Sequence, residues 1–158
     1  MDWQWNECQG LIIVLTITYE IEVVEWIKMK KAQPFEAYFN DNDLSEEKLA
    51  RMRLTRQLVH TIYPDVQERV SYAMPGFYPK QAKKATQQLF LLMANKGWLG
   101  IYGTQGMKES DFSDFADYGL EFGKGSLKIP YDMPELEYKK LLQLIMSYNA
   151  KRNGFDIS

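Results

Sequence analysis

Histidine and cysteine are almost absent: the 158-residue chain has one of each, His60 and Cys8. A single cysteine excludes an intramolecular disulfide, a zinc knuckle and a thiolate-held iron–sulfur cluster, and a single imidazole excludes any site that needs two. A strong charge of either sign is also lacking, with 19 Lys and Arg against 21 Asp and Glu. A net charge of −2 has none of the basic footprint of a nucleic-acid-binding domain, so no nucleic-acid partner is expected. The most apolar run, Leu11 to Tyr19, is far shorter than the roughly 20 residues of a membrane-spanning helix. Asp2 and Glu7 precede it, where a secretion signal would carry basic residues. These absences predict a cytoplasmic protein with no membrane partner, in which a lone free Cys8 is ordinary. What is abundant is aromatic: 14% of the chain, with four Trp and ten Tyr. The length suits one domain with a core of useful size.

Residues 1–28 stand apart, with Lys28 as their only basic residue against five acids. The β-branched run at 11–19 reads as a strand, extended by the alternation Tyr19-Glu20-Ile21-Glu22-Val23. Leu11 to Ile27 reads equally as a helix. A third reading makes Met29 the natural start and residues 1–28 the product of an extended reading frame. The domain proper is taken as 29–158.

Within it, Pro34 to Phe39 reads as a short helix or turn. A long helix is expected from Asp43, where Asp43-Leu44-Ser45-Glu46 has capping-box spacing. Leu49, Met52, Leu58, Val59 and Ile62 give it one apolar stripe, and Pro64 ends it. Val70 to Phe77 reads as one strand ending in a Pro75-Gly76 bend. Leu89 to Ala94 and Trp98 to Tyr102 form a hairpin across Asn95-Lys96-Gly97. Ser110 is expected to cap a helix with Phe112, Phe115 and Tyr118 on one side, ended by Gly119 or Gly123. Leu127 to Ile129 is a short strand. Asp132-Met133-Pro134-Glu135 opens a last helix whose buried face is Tyr138, Leu141, Leu142, Ile145 and Tyr148. The order predicts an α+β fold: an antiparallel sheet with helices packed on one face. No strand runs through a glycine-rich turn into a helix, which disfavours a doubly wound nucleotide fold.

Four groups of residues could carry chemistry. Asp41, Asp43, Glu46 and Glu47 crowd the start of the long helix, and an oxygen-only cluster suits hard or borderline divalent cations. The same acids have ordinary roles there: a helix start favours negative charge, Asp43 is a cap, and Glu47 can pair with Arg51. Glu109, Asp111, Asp114 and Asp117 recur about every three residues, which on an α-helix makes them drift around a solvated face. His60 lies beside the apolar stripe with no nucleophile near it, so no catalytic triad is supported and no enzyme is expected. Lys80, Lys83 and Lys84 make a basic loop, solvated or facing an acidic or phosphate-bearing partner.

Three ordered blocks carry a family resemblance. Val70-Ser71-Tyr72-Ala73-Met74-Pro75-Gly76-Phe77 resembles the signature strand of the YdhG-like family (domain of unknown function 1801), after a helix ending in Tyr63-Pro64-Asp65 and Glu68. Gly100-Ile101-Tyr102-Gly103 is similar to its next block. Lys124-Gly125-Ser126-Leu127-Lys128-Ile129-Pro130 resembles its late strand. The match covers roughly residues 35–150 and departs from the pattern in residues 1–28 and in the long connection 79–88. The resemblance implies a frataxin-like α+β fold. Through the family's iron chaperones it implies an intracellular carrier of Fe²⁺ whose partners are iron–sulfur or haem assembly proteins. On that reading Asp41, Asp43, Glu46 and Glu47 hold the metal weakly, with Asp65 and Glu68 as second choices. The competing expectation is a metal-free interaction or ligand-binding module working through its sheet face, marked by exposure of Tyr72, Phe77, Tyr78 or Trp98.

Overall fold

The computed structural model describes residues 33–158, so the three readings of residues 1–28 lie outside the described residues. Helix α1 spans Glu46–Ile62 and gives way at Tyr63-Pro64, because proline offers no amide hydrogen and restricts the residue before it. It starts later than its capping-box spacing predicts. Ser45 is the N-cap, its hydroxyl accepting the Lys48 amide at 3.4 Å. The Asp43 amide is spent in an Asx turn, donating to Asp41 Oδ1 at 2.9 Å. Serine and aspartate cap about equally well, so the local turn decides between them. Met52, Thr55, Leu58 and Val59 form the buried stripe of α1.

Among the described residues six strands form where four are expected. β1 (Gln67–Ser71), β2 (Met74–Tyr78), β3 (Phe90–Ala94), β4 (Leu99–Tyr102), β5 (Glu121–Gly123) and β6 (Ser126–Ile129) make one antiparallel sheet in the order β1-β2-β3-β4-β6-β5. The single strand read over Val70 to Phe77 is a hairpin. Ser71 pairs with Met74 across Tyr72 and Ala73, both left-handed at φ 53° and 58°. Such a turn normally announces itself as Asn-Gly, and Tyr-Ala gives no such signal. Pro75 and Gly76 are not a bend; they sit inside β2, and pairing with β3 begins only at Gly76, so Pro75 removes no bond of that ladder. The hairpin at 95–98 forms as expected, with the Asn95 amide donating to the Trp98 carbonyl at 2.9 Å.

Residues Glu109–Tyr118 form successive 3₁₀ turns, broken by non-helical backbone at Phe112 and Phe115, instead of an α-helix. Phe112 and Phe115 are buried while Asp111, Asp114 and Asp117 are exposed, a three-residue repeat that suits three residues per turn. Asp111 accepts the Lys108 amide at 2.7 Å, so Ser110 is not the cap. Helix α2 (Glu135–Arg152) starts behind Pro134 with no side-chain cap, so Asp132 does not cap it.

Both helices cover the same sheet face, giving the expected α+β architecture. Met52 and Val59 of α1 and Tyr138, Leu142 and Ile145 of α2 meet Phe77, Phe90, Ile101 and Leu127 in one core. A buried hydrogen bond ties the helices: Thr55 Oγ1 and Tyr138 Oη lie 2.6 Å apart.

The opposite face carries the row Arg69, Gly76, Leu91, Tyr102, Ser126 and Gly123, read across the six strands from their register. The long connection 79–88 folds back over the β1–β2 end of this face. Ala82 and Tyr78 bury each other there, the Arg69 guanidinium lies 4.9 Å from the Tyr78 ring centre, and Arg69 donates to the Ala82 carbonyl. The rest of the outer face remains uncovered by any described element.

Candidate functional site

The four acids predicted to hold a metal are not brought together. Among the described residues no group of three or more His, Cys, Asp or Glu side chains is arranged to hold a metal ion. The physical reason is the late helix start: Asp43 lies outside the helix, so the three- and four-residue spacing that should align it with Glu46 and Glu47 does not apply. Asp41 is half-buried and engaged by the Asp43 amide, while Asp43, Glu46 and Glu47 are exposed. The expected Glu47–Arg51 pair is also absent, for Arg51 donates to the carbonyls of Tyr131 and Met133 and lies over the Tyr138 ring.

Glu68, a second-choice ligand, is engaged in a structural ion-pair network. Arg56 grips it with two nitrogens at 2.7 and 2.8 Å and holds Glu36 with two more contacts, while His60 Nε2 lies 3.2 Å from Glu68. The guanidinium also lies 5.0 Å from the Phe39 ring centre and 5.2 Å from that of Phe35. Burial alone would raise the Glu68 carboxyl, but hydrogen bonds from Arg56 and His60 outweigh it and hold the group below its ordinary value of 4.5. The Arg56 bond likewise lowers Glu36. A carboxyl depressed on folding contributes stability that is fully present above the unfolded value and lost as pH falls through the folded one. Stability should therefore decline below about pH 4.5 through this network. Arg56→Met should cost about 2 kcal/mol at neutral pH, the pair being partly solvated, and should flatten the acid limb. Urea denaturation between pH 7 and 3 reads both; an unchanged acid limb in the variant would refute the assignment.

The aromatics divide. Phe77 and Tyr78 are fully buried, Trp98 is half-buried under Lys128 (Nζ 4.3 Å from the ring centre), and Tyr72 is 64% exposed. Lys80, Lys83 and Lys84 are exposed on the connection 79–88.

A groove of about 570 Å³ lies on the uncovered outer face. Its floor is the side-by-side trio Leu91, Tyr102 and Ser126 of β3, β4 and β6. Tyr102 lies back along its own strand over Gly100, where a β-carbon would stand 2.6 Å from the phenol oxygen; the glycine lets the ring lie down. Tyr72 leans in from the β1–β2 turn, and Thr86 and Gln88 come from the end of the covering connection. Gly103 (φ 99°) and Gly125 (φ 76°) close the far end, joined by the Gly103 amide donating to the Gly125 carbonyl at 3.0 Å. The Gln88 side chain rests on Gly103 and that of Gln105 on Gly125, so larger residues at either glycine would push the amides into the groove. Lys124 and Arg152 supply the charge, and Arg152 is steadied by donating to the Gln105 carbonyl at 2.5 Å. Asn149, fully buried on α2, holds this end from behind by donating to the carbonyls of Leu89 (2.6 Å) and Gly103 (2.8 Å). Sequence reasoning singles out Tyr72, Tyr102 and Lys124 through the resemblance blocks but misses Gln88, Gln105, Asn149 and Arg152. Polar residues on a helix or loop carry no local sign of the strand they face.

No family model matches the chain, and no curated protein matches it in sequence. Among solved structures, a crystal structure of the DUF1801-family protein YdhG from Bacillus subtilis superposes with a TM-score of 0.58 over 76% of this chain and 90% of that one. The fold is similar to that of YdhG. At 14% identity the likeness to YdhG concerns architecture. It agrees with the six-stranded antiparallel sheet and its helices.

Proposed function

We propose that the protein is a distant YdhG-like, non-enzymatic, metal-free binding module that takes its ligand in the outer-face groove. One observation carries this reading: three sequence blocks some 20 to 30 residues apart place Tyr72, Tyr102-Gly103 and Lys124-Gly125-Ser126 around one concavity. The turn that delivers Tyr72 adds to it. Two non-glycine residues at positive φ cost on the order of 1 kcal/mol or more each, and such strain collects where a side chain must be presented. The groove also has the size of a small-molecule site. The iron-carrier role that accompanies the resemblance, with its assembly partners and its frataxin likeness, draws no support from the dispersed acids or from the structural comparison.

Replacing the turn tests the reading. Tyr72→Asn with Ala73→Gly should stabilise the protein by about 1–2 kcal/mol, because asparagine and glycine adopt this turn readily. The same change should weaken ligand binding severalfold. A screen of small neutral and charged fragments by amide chemical shifts, run on both proteins, supplies the binding readout. Shifts should concentrate at Tyr72, Tyr102, Gly103, Gly125 and Ser126. Shifts that gather instead around Phe155 and the C-terminal groove would defeat the proposal.

A further inference from the structure

The described surface carries three sizeable concavities, and their charges differ. The apolar cleft beside β5, about 250 Å³, is lined by Phe112, Phe115 and Phe122 with Glu109 at its edge. The C-terminal groove, about 600 Å³, balances Lys151 against Asp156. The outer-face groove has Lys124 and Arg152 and no carboxylate in its lining. That is a local excess of positive charge on a chain of net charge −2. Neither cation has a carboxylate partner among the described residues, whose ion pairs use Arg56, His60, Lys128 and Lys140 instead.

We propose that the ligand of this groove is a small aromatic oxyanion, its carboxylate or phosphate held by Lys124 and Arg152 and its ring laid against Tyr72 and Tyr102. This rests on the groove being the binding site. Three physical points argue for the ligand class. Arg152 is anchored through one nitrogen on the Gln105 carbonyl, which orients the guanidinium and leaves its other donors for an oxyanion. Cations that share no ion pair in the free protein lose none when the ligand arrives, so the Coulombic gain is not offset by a broken pair. The floor away from the charges is Leu91 and the Tyr102 ring, and Tyr72 is 64% exposed at the rim, which together favour a flat apolar body over a fully hydrated ion. The side chains of Thr86 and Ser126 add neutral hydrogen-bonding groups for the head.

The experiment titrates the full-length protein with phenyl phosphate, benzoate, inorganic phosphate and benzyl alcohol, following backbone amide shifts. Phenyl phosphate or benzoate should saturate in the millimolar range with shifts at Tyr102, Gly103, Gly125 and Ser126, and the stronger of the two identifies the head group. Inorganic phosphate and benzyl alcohol, each lacking half of the chemistry, should bind at least fivefold more weakly. Lys124→Gln and Arg152→Gln should each weaken the anionic probe severalfold, whereas Lys80→Gln, outside the groove, should not. Benzyl alcohol binding the same residues as tightly as phenyl phosphate would overturn the charge assignment while leaving the groove as the binding site. Saturable shifts of every probe at other residues would overturn the groove reading itself. Absence of saturation by both aromatic anions at tens of millimolar would overturn the ligand class.

Discussion

Phe77→Ala should destabilise the protein by about 4 kcal/mol and lower its melting temperature by about 10 °C. The side chain is fully buried in β2 and sits between two other rings, Phe90 at 5.1 Å and Phe35 at 5.8 Å edge-on. Truncation removes the transfer free energy of a whole ring and leaves a cavity that the surrounding sheet and helix cannot fill by collapse. It also removes two aromatic contacts worth about 0.5–1.5 kcal/mol each beyond their area. A second consequence is structural. Residues Phe35–Phe39 form a short 3₁₀ helix; Phe35 stacks on Phe39 at 5.0 Å, and both rings lie beneath the Arg56 guanidinium, so loss of Phe77 loosens the segment that positions Glu36. Phe77→Leu, which keeps most of the volume, should cost about 1.5 kcal/mol or less. Urea denaturation with an unchanged m-value reads both effects, and a loss below about 1.5 kcal/mol for the alanine variant would mean that Phe77 is not central to the core.

Asn149→Ala should cost about 2–3 kcal/mol, a large effect for a single polar side chain. The amide group donates to the carbonyls of Leu89 and Gly103, at the point where β3 and β4 part and their register pairing has ended at Leu91 and Tyr102. Without Asn149 both carbonyls are left buried without these bonds. The Asn149 Oδ1 atom is itself buried without a partner, so its removal offsets part of the loss. Gly103 forms the end wall of the groove, so the variant should also weaken the aromatic anion severalfold although Asn149 does not line the groove. Amide exchange at Gly103 and Thr104 should accelerate in parallel. Wild-type stability together with wild-type exchange at those positions would contradict this role.

Legibility in the sequence differs by element. Met52, Leu58 and Val59 of the predicted stripe and the face Tyr138, Leu141, Leu142 and Ile145 are buried as their periodicity implies, while Leu49 and Ile62 at the stripe's ends are half-buried. Tyr148 is only half-buried, its phenol oxygen lying against Gly106, and Asn149 takes the inward position beside it. The 95–98 hairpin is legible because Asn and Gly are turn residues by chemistry. The 72–73 hairpin is not, because Tyr and Ala adopt left-handed conformations only under tertiary constraint. β5 is three residues long, too short for any alternation to register, and exists because β6 offers it a partner. The acids at 41–47 show the opposite error. Their crowding in sequence is real, but a helix start shifted to Glu46 puts Asp43 off the helix and leaves the quartet without a common centre.

By itself the amino-acid order determined the α+β class, both long helices, the central hairpin and most of the core, since these rest on interactions within a few residues and on the burial of apolar stripes. Tertiary structure alone decided where Tyr72, Tyr102, Lys124 and Arg152 meet. Their meeting depends on strand order and register, which set the β1–β2 turn, Tyr102 and the β5–β6 turn around one place, and on the packing of α2, which carries Arg152 to it; no local pattern encodes either. The folding of residues 79–88 over one end of the outer face, which leaves the groove open at the other, was settled in the same way.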